Sequence, residues 1–352
     1  MKRSFDRTKF TQMENTLTTE HTTKTNRHTT FYLAAGPKDG PLIILVHGWP
    51  ELSISWRHQL PALASLGFRA IAPDMRGYGR SSIYPRSSDY AQELIVQDMM
   101  ELLDSLGRER AVWVGHDWGS PVVWNLASHH PERCEGVANL CVPYYTIERG
   151  LDHIITLVDR KVYPEAEYPA ANWDYMRYYE ENFAEAIAPM DANVYKFLKL
   201  AFRKGDPAGE GKPAITASAR RNHGVRGSAI PDLPRDGDIV SEEDLSVYVS
   251  ALERNGFFGP GSWYLNHSAN AEYAKAARND GYLDMPALFL NARYDYVCEC
   301  THSRLAEPMR KYCRNLTEET IRTGHWIAQE KPAEVNAALV KWLVTSVPGV
   351  WP

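Results

Sequence analysis

Apolar residues in this chain gather into short continuous runs separated by stretches with a helical rhythm. Pro41-Leu42-Ile43-Ile44-Leu45-Val46 is one such run, and Phe68-Arg69-Ala70-Ile71-Ala72-Pro73 is the next. Neither alternates with polar residues and each ends at a turn, as parallel strands buried on both faces do. Further strands are expected at 111–115, near 136–143 and at 287–290. Between them the period changes. Leu94, Ile95, Met99, Leu102, Leu103 and Leu106 recur on one face of a helix expected over 90–107. Two more helices are expected over 119–130 and 331–346. Strand and helix alternating at short spacing predict an α/β fold, a mostly parallel sheet flanked by helices.

From about 145 to 282 the strand signal all but vanishes. Aromatic-rich helical stretches at 173–187 and 241–256 stand either side of a Gly-, Pro- and Arg-rich segment at 204–239. This shift predicts a helical lid, or cap, inserted into the α/β core. The expected organisation is a flexible N-terminal arm over 1–30, the first part of the core over 31–145, the lid over 146–282 and the second part of the core over 283–352. Within the lid, Arg220, Arg221 and Arg226 read as a solvated loop rather than an anion site. The arm is polar and Thr-rich and lacks the apolar stretch of a signal peptide. A cytoplasmic protein is expected, with a mitochondrial presequence as the alternative.

Composition narrows the classes of partner. The chain has 352 residues and a net charge of −5, which gives no sign of nucleic-acid or anionic-membrane binding. No apolar run approaches the ~20 residues that span a bilayer. The five cysteines are an odd number spread over a long chain. Cys298-x-Cys300 has no second cysteine pair or paired histidines beside it, so reduced structural thiols are expected rather than zinc. A monomer and a homodimer both fit.

The chemistry-bearing motif is Gly115-His116-Asp117-Trp118-Gly119, at a strand-to-helix junction. This is the place of a nucleophile elbow, the sharp turn that lifts one side chain above the sheet. Serine usually occupies its centre. A serine attacking a saturated carbon would leave a stable ether, whereas a carboxylate leaves an ester that water can cleave. Asp117 therefore points to substrates displaced at carbon, such as epoxides and alkyl halides. The plainer reading makes Asp117 a helix cap. His325, in a loop before the last helix, stands where such a fold keeps its base, and Asp295, just past the strand ending at Leu290, stands where the acid would orient it. The order Asp117, Asp295, His325 matches nucleophile, acid and base. The backbone N–H groups of Trp49 and Trp118 are candidates for an oxyanion hole, while their indoles, with Met176 and Trp326, are expected to line the substrate pocket.

In combination, His47-Gly48-Trp49-Pro50, Asp74-x-Arg76-Gly77-Tyr78-Gly79-x-Ser81, Gly115-His116-Asp117-Trp118-Gly119 and Gly324-His325-Trp326 resemble the soluble epoxide hydrolases of the α/β-hydrolase superfamily. The resemblance runs from about residue 30 to the C-terminus. It implies hydrolysis of an apolar epoxide to a vicinal diol, through an ester on Asp117 cleaved by water that His325 activates, with no cofactor and no metal. The lid segments Asp174-Tyr175-Met176-Arg177-Tyr178-Tyr179 and 255–264 are similar to those that supply the family's paired tyrosines, which by position are Tyr175 and Tyr264. Tyr178 and Tyr179 lie close to the first, and Met176 stands where many members have Gln. Phenol O–H groups suit the task, because an opening epoxide leaves negative charge on oxygen. The rivals are haloalkane and haloacid dehalogenases on the same scaffold and a non-catalytic receptor. Trp49 replaces the Asn of many haloalkane dehalogenases, and Trp118 replaces the Arg typical of fluoroacetate dehalogenases.

Overall fold

The computed structural model describes residues 17–225 and 230–352. Among them, eight strands form one sheet: β1 (Thr19–Lys24), β2 (Thr29–Ala35), β3 (Leu42–Val46), β4 (Arg69–Pro73), β5 (Ala111–His116), β6 (Cys134–Leu140), β7 (Leu283–Ala292) and β8 (Cys313–Ile321). The order across the sheet is β1-β2-β4-β3-β5-β6-β7-β8. From β4 onward every pairing is parallel, and β2 runs antiparallel to both of its neighbours. The continuous apolar runs take the centre, where every residue of β3 and β5 is buried. Helices Gln92–Ser105 and Gly119–His129 pack on each other, as do Gln59–Ser65 and Pro332–Ser346, and these pairs clothe the sheet.

The expected arm ends earlier than residue 30. Thr19–Lys24 is a paired strand, in register with β2 from Thr19↔Ala34 to Lys24↔Thr29. Residues 1–16 lie outside the described residues. Strand β1 is polar because it is an edge, with four of its six residues exposed, so threonine's preference for extended backbone suffices without an apolar face. Arg27, in the turn after it, fastens the hairpin to the helix Gln92–Ser105 through Asp98 and Glu101, at 2.5 and 2.8 Å. Strand β8, the opposite edge, is similarly polar.

Between β6 and β7 the described chain is helical and irregular. Its longer helices are Asp174–Glu181, Phe183–Ala192, Val194–Ala201, Glu242–Asn255 and His267–Lys275. The segment expected to be loop-like over 204–239 carries only short helical turns among its described residues. Arg220 is not a free cation there: its Nε lies 2.6 Å from Asp174, whose other oxygen accepts the Arg220 backbone N–H at 2.9 Å. Arg221 sits over the Tyr168 ring, and Arg226 lies outside the described residues. Among the described residues, no helix is long and apolar enough to cross a membrane.

Where the chain leaves the sheet after β6, Glu148 is buried. One of its oxygens accepts the Tyr145 backbone N–H, and the other has no partner among the described residues. Burial pushes its carboxyl up to about 7, against the opposing pull of Arg149 and nearby backbone N–H groups. An acid that the fold keeps protonated loses stability as pH climbs from its ordinary 4.5 to about 7, and the loss persists above that. Glu148→Gln should therefore be more stable than the parent at pH 8, with the gap closing toward pH 4. Urea unfolding across that range tests this, and a gap of the same size at both ends would refute it.

Candidate active site

The four predicted loops converge at the carboxyl ends of parallel strands: Trp49 after β3, Asp117 after β5, Asp295 after β7 and His325 after β8. That end of a parallel sheet is where ligands usually bind in such folds. Asp117 takes a left-handed backbone, φ 49°. Three glycines let the chain close around it. A Cβ on Gly48 would lie 2.4 Å from Asp117 Oδ1, one on Gly115 would lie 2.7 Å from the Gly119 carbonyl, and one on Gly119 would lie 2.1 Å from the Val46 carbonyl. No side chain fits at these points, so the strand ends crowd together and the carboxylate projects upward. It turns to Trp49 and His325 rather than capping the helix it precedes.

Asp117 Oδ1 accepts the Trp49 backbone N–H at 2.7 Å, and Oδ2 lies 3.3 Å from His325 Nε2. On its other side His325 Nδ1 is 2.6 Å from Asp295 Oδ2. The remaining Asp295 oxygen accepts the backbone N–H groups of Val297 and Cys298, both at 3.0 Å. The His325 ring is enclosed by protein yet opens on a cavity. Burial works to lower its pKa, but Asp295 and Asp117 outweigh that and hold it well above the usual imidazole range. Burial likewise works to raise the Asp295 carboxyl, and His325 with the two N–H donors keeps it below its ordinary value.

The cavity above these groups measures about 570 Å³. Asp117, His325, Trp49, Trp326, Tyr175 and Tyr264 all line it. The rings of Tyr175 and Tyr264 are 5.7 Å apart, and burial pushes both hydroxyls well above their ordinary pKa. Tyr178 and Tyr179 also reach the cavity, and Tyr179 stacks on Tyr264 at 4.8 Å. The Tyr179 hydroxyl, however, is directed at Met190 Sδ, 3.8 Å away.

Two expected pocket residues fall elsewhere. Met176 is wholly buried and absent from the lining, because one step along a helix from Tyr175 turns a side chain by roughly 100°. The Trp118 indole is also buried off the cavity, packed on Tyr264 at 5.0 Å and on Trp263 and His267 behind it. Only the Trp118 amide stays near the carboxylate: the Cβ position on Gly48 that meets Asp117 Oδ1 is 2.7 Å from the Trp118 nitrogen. Conversely, the walls contributed by Phe197, Leu200, Ile215 and Val225 were not foreseen.

A buried polar pair beneath the site also escaped the sequence reading. His116 Nδ1 is 2.7 Å from Glu51, and Nε2 donates to the His325 carbonyl at 2.7 Å. Glu51 further accepts the Gly48 N–H at 3.2 Å and the Gln329 amide at 3.0 Å. Burial would raise the Glu51 carboxyl, but the His116 ring overrides it and holds it at about 2. The available signal was a carboxylate between Pro50 and Leu52, just past the buried β3 turn, and an imidazole closing an otherwise apolar strand. Near the same place, Cys298 lies within reach of Asp295 and His325. Burial pushes the Cys298 and Cys300 thiols far up, so both suit neutral packing better than metal ligation.

A parallel sheet with an aspartate lifted on a glycine-framed turn after its central strand has close parallels among known proteins. Residues 41–332 match the family described as the alpha/beta hydrolase fold, and the chain belongs to that family. Bifunctional epoxide hydrolase 2 of Sus scrofa is 34% identical over 307 residues, covering 87% of this chain and 52% of the pig protein. The chain thus spans about half the length of that relative, as it does of the rat and mouse counterparts. Epoxide hydrolase A of Mycobacterium tuberculosis is 34% identical over 332 residues, covering 92% of this chain and 97% of that protein. The crystal structure of epoxide hydrolase A from Mycobacterium thermoresistibile superimposes with a TM-score of 0.76 at 32% identity, over 94% of this chain and 99% of that one.

Removing the Glu51 carboxylate would strip the acceptor from three buried donors, on His116, Gly48 and Gln329. Each orphaned donor costs about 1–3 kcal/mol. Glu51→Ala should therefore lose at least about 3 kcal/mol of unfolding free energy in urea titration. A loss under about 1 kcal/mol would mean that water or a neighbour replaces the carboxylate.

Proposed function

We propose that this protein is an epoxide hydrolase, converting an apolar epoxide and water to a vicinal diol through an ester on Asp117. The observation that carries this reading is one cavity shared by a carboxylate on a nucleophile-elbow turn, a histidine–aspartate pair and two buried tyrosines. The aliphatic and aromatic walls favour an apolar substrate of considerable size. Residues 19–145 and 283–352 act as the core and 146–282 as the cap that closes the site. The five cysteines are unpaired and buried, which fits a reducing, cytoplasmic setting.

The roles follow from the geometry. The Trp49 N–H occupies Oδ1, so Oδ2 is the attacking oxygen. It forms the ester bond as the epoxide C–O bond breaks, and Tyr175 and Tyr264 donate to the oxygen that becomes negative. Their raised pKa keeps them protonated for that task. Alkylation also removes the Asp117 charge, one of the two that hold the proton on His325. The imidazolium then gives up that proton, through the tyrosines, to the new alkoxide, which becomes a hydroxyl, and the ring becomes a base. Next it takes a proton from water, whose oxygen attacks the ester carbonyl while the Trp49 and Trp118 N–H groups hold the oxyanion. The diol departs with one proton, and the Asp117 carboxylate and the imidazolium are restored. Asp295 fixes the ring and stabilises its charged form. A dehalogenase would need N–H donors around a halide; the Trp118 indole lies off the cavity, while the tyrosine pair suits an alkoxide.

His325→Gln should open an epoxide yet fail to release the diol, so intact-protein mass spectrometry should show one added substrate on the peptide containing Asp117. Asp117→Ala should show none. In the parent enzyme a single turnover in heavy-oxygen water should label the Asp117 carboxylate. Label confined to the diol would mean that water attacks the epoxide directly.

The tyrosines are separable by substitution. Tyr175→Phe and Tyr264→Phe should each slow ring opening, and the double variant should lose most of the roughly 10²–10⁴-fold that acid assistance provides. If Tyr179→Phe slows the step and Tyr175→Phe leaves it intact, the first tyrosine is misassigned.

A further inference from the structure

Gly324, the residue before His325, meets the cap backbone to backbone. A Cβ on Gly205 would lie 2.4 Å from the Gly324 nitrogen, and one on Gly324 would lie 2.5 Å from the Gly205 nitrogen. Both backbone N–H groups point at one oxygen, Glu330 Oε2, at 2.9 Å from Gly205 and 2.8 Å from Gly324. Two N–H dipoles brought together head-on repel unless an acceptor lies between them, and an ionised carboxylate is the strongest available. On the other side of His325, the Trp326 indole N–H donates to the Ala201 carbonyl at 2.7 Å, again in the cap. The base thus sits between two residues, each of which is bonded to the inserted segment.

We propose that Glu330 is a positioning residue that ties the His325 loop to the cap, so that the base is aligned only when the cap is seated. The inference rests on the reading of His325 as the base that activates water. Glu330 does not line the cavity and touches neither Asp117 nor any group assigned to the substrate. It ends the short helix Ile327–Glu330, half-exposed, and acts only through the loop it holds. Other contacts of His325 come from the core: Asp295 on the ring and His116 on the carbonyl. Those constrain one side of the loop, and the Glu330 bridge constrains the side facing the cap.

The two chemical steps depend on this bridge unequally. Asp117 is aimed by its glycine-framed turn and the Trp49 N–H, neither of which touches Glu330. Ester hydrolysis needs Nε2 of His325 aligned on a water, and a displacement of about 1 Å in such a geometry costs on the order of 10²-fold. Loss of the bridge should therefore spare alkylation and slow hydrolysis. Gly205→Ala attacks the same junction from the cap side, since its Cβ would force the two backbones apart. Glu330→Gln keeps one carbonyl oxygen to accept both N–H groups.

The test uses the full chain with a panel of styrene, stilbene and long-chain alkyl epoxides. For Glu330→Ala, kcat should fall about 10- to 100-fold and KM fall with it, while kcat/KM, which reports alkylation, changes by less than about threefold. Gly205→Ala, which also borders the cavity, should lower kcat and accumulate adduct. Mass spectrometry at steady state should then find the alkyl-enzyme, and Glu330→Gln should recover most of the lost kcat. If kcat and kcat/KM fall together with no adduct above the parent level, or if Glu330→Gln fares no better than Glu330→Ala, Glu330 is merely structural and the proposal is overturned. His325→Gln separates this failure from a deeper one. Adduct on His325→Gln without adduct on the Glu330 and Gly205 variants sinks only the positioning role. No adduct on His325→Gln with any epoxide of the panel sinks the base assignment and the proposal together.

Discussion

An imidazole held between two carboxylates, Asp295 at 2.6 Å and Asp117 at 3.3 Å, sets the conditions for the rest of this molecule. Charges removed from water are tolerated only when paired and hydrogen-bonded, so each member of the trio recruits its own support. Asp295 takes two backbone N–H groups from the turn after β7, and Asp117 takes one from Trp49. The His325 carbonyl takes the His116 ring, which in turn needs Glu51. Four loops from four strands are thereby committed to one arrangement. The left-handed turn at Asp117 and the glycines that frame it are the backbone's share of the same requirement.

This arrangement also reconciles the raised pKa of His325 with the base role proposed for it. In the resting site two negative charges hold its proton, and in the proposed reaction one of them, Asp117, is consumed in forming the ester. In that proposed scheme the base is produced by the first step, in the place where it is next needed. A ring with an ordinary pKa beside an uncharged neighbour would be available to activate water before any ester existed.

Much of this was legible in the residues, for reasons that differ from part to part. Strands β3, β4 and β5 stand out because burial on both faces leaves unbroken apolar runs. Strands β1 and β8 escape because an edge strand needs no apolar face. Asp117, His325 and Asp295 could be found because their chain order follows strand order, which a parallel sheet turns into spatial convergence. Tyr175 and Tyr264 came from a resemblance, and the structure brings both to the cavity. Met176 and the Trp118 indole were misplaced, since adjacency in sequence says little about which way a side chain faces on a helix. Glu51, His116 and Glu330 were passed over because their work is to hold other groups, and such work leaves no signature until distances are known.

The groups proposed to act on the reacting atoms and the walls that shape the cavity come mostly from different parts of the chain. Asp117, His325, Asp295 and the two amides belong to loops of the sheet, whereas Phe197, Leu200, Ile215 and Val225 belong to the insertion. Among the described residues, the hydrogen bonds that tie the insertion to the His325 loop use main-chain atoms of the insertion, at Gly205 and Ala201. Apart from Tyr175 and Tyr264, the side chains that wall the cavity are therefore free to vary, provided that a glycine and a carbonyl stay where they are. Such a division lets inherited change redraw what the cavity accepts while leaving the carboxylate and imidazole beneath it untouched.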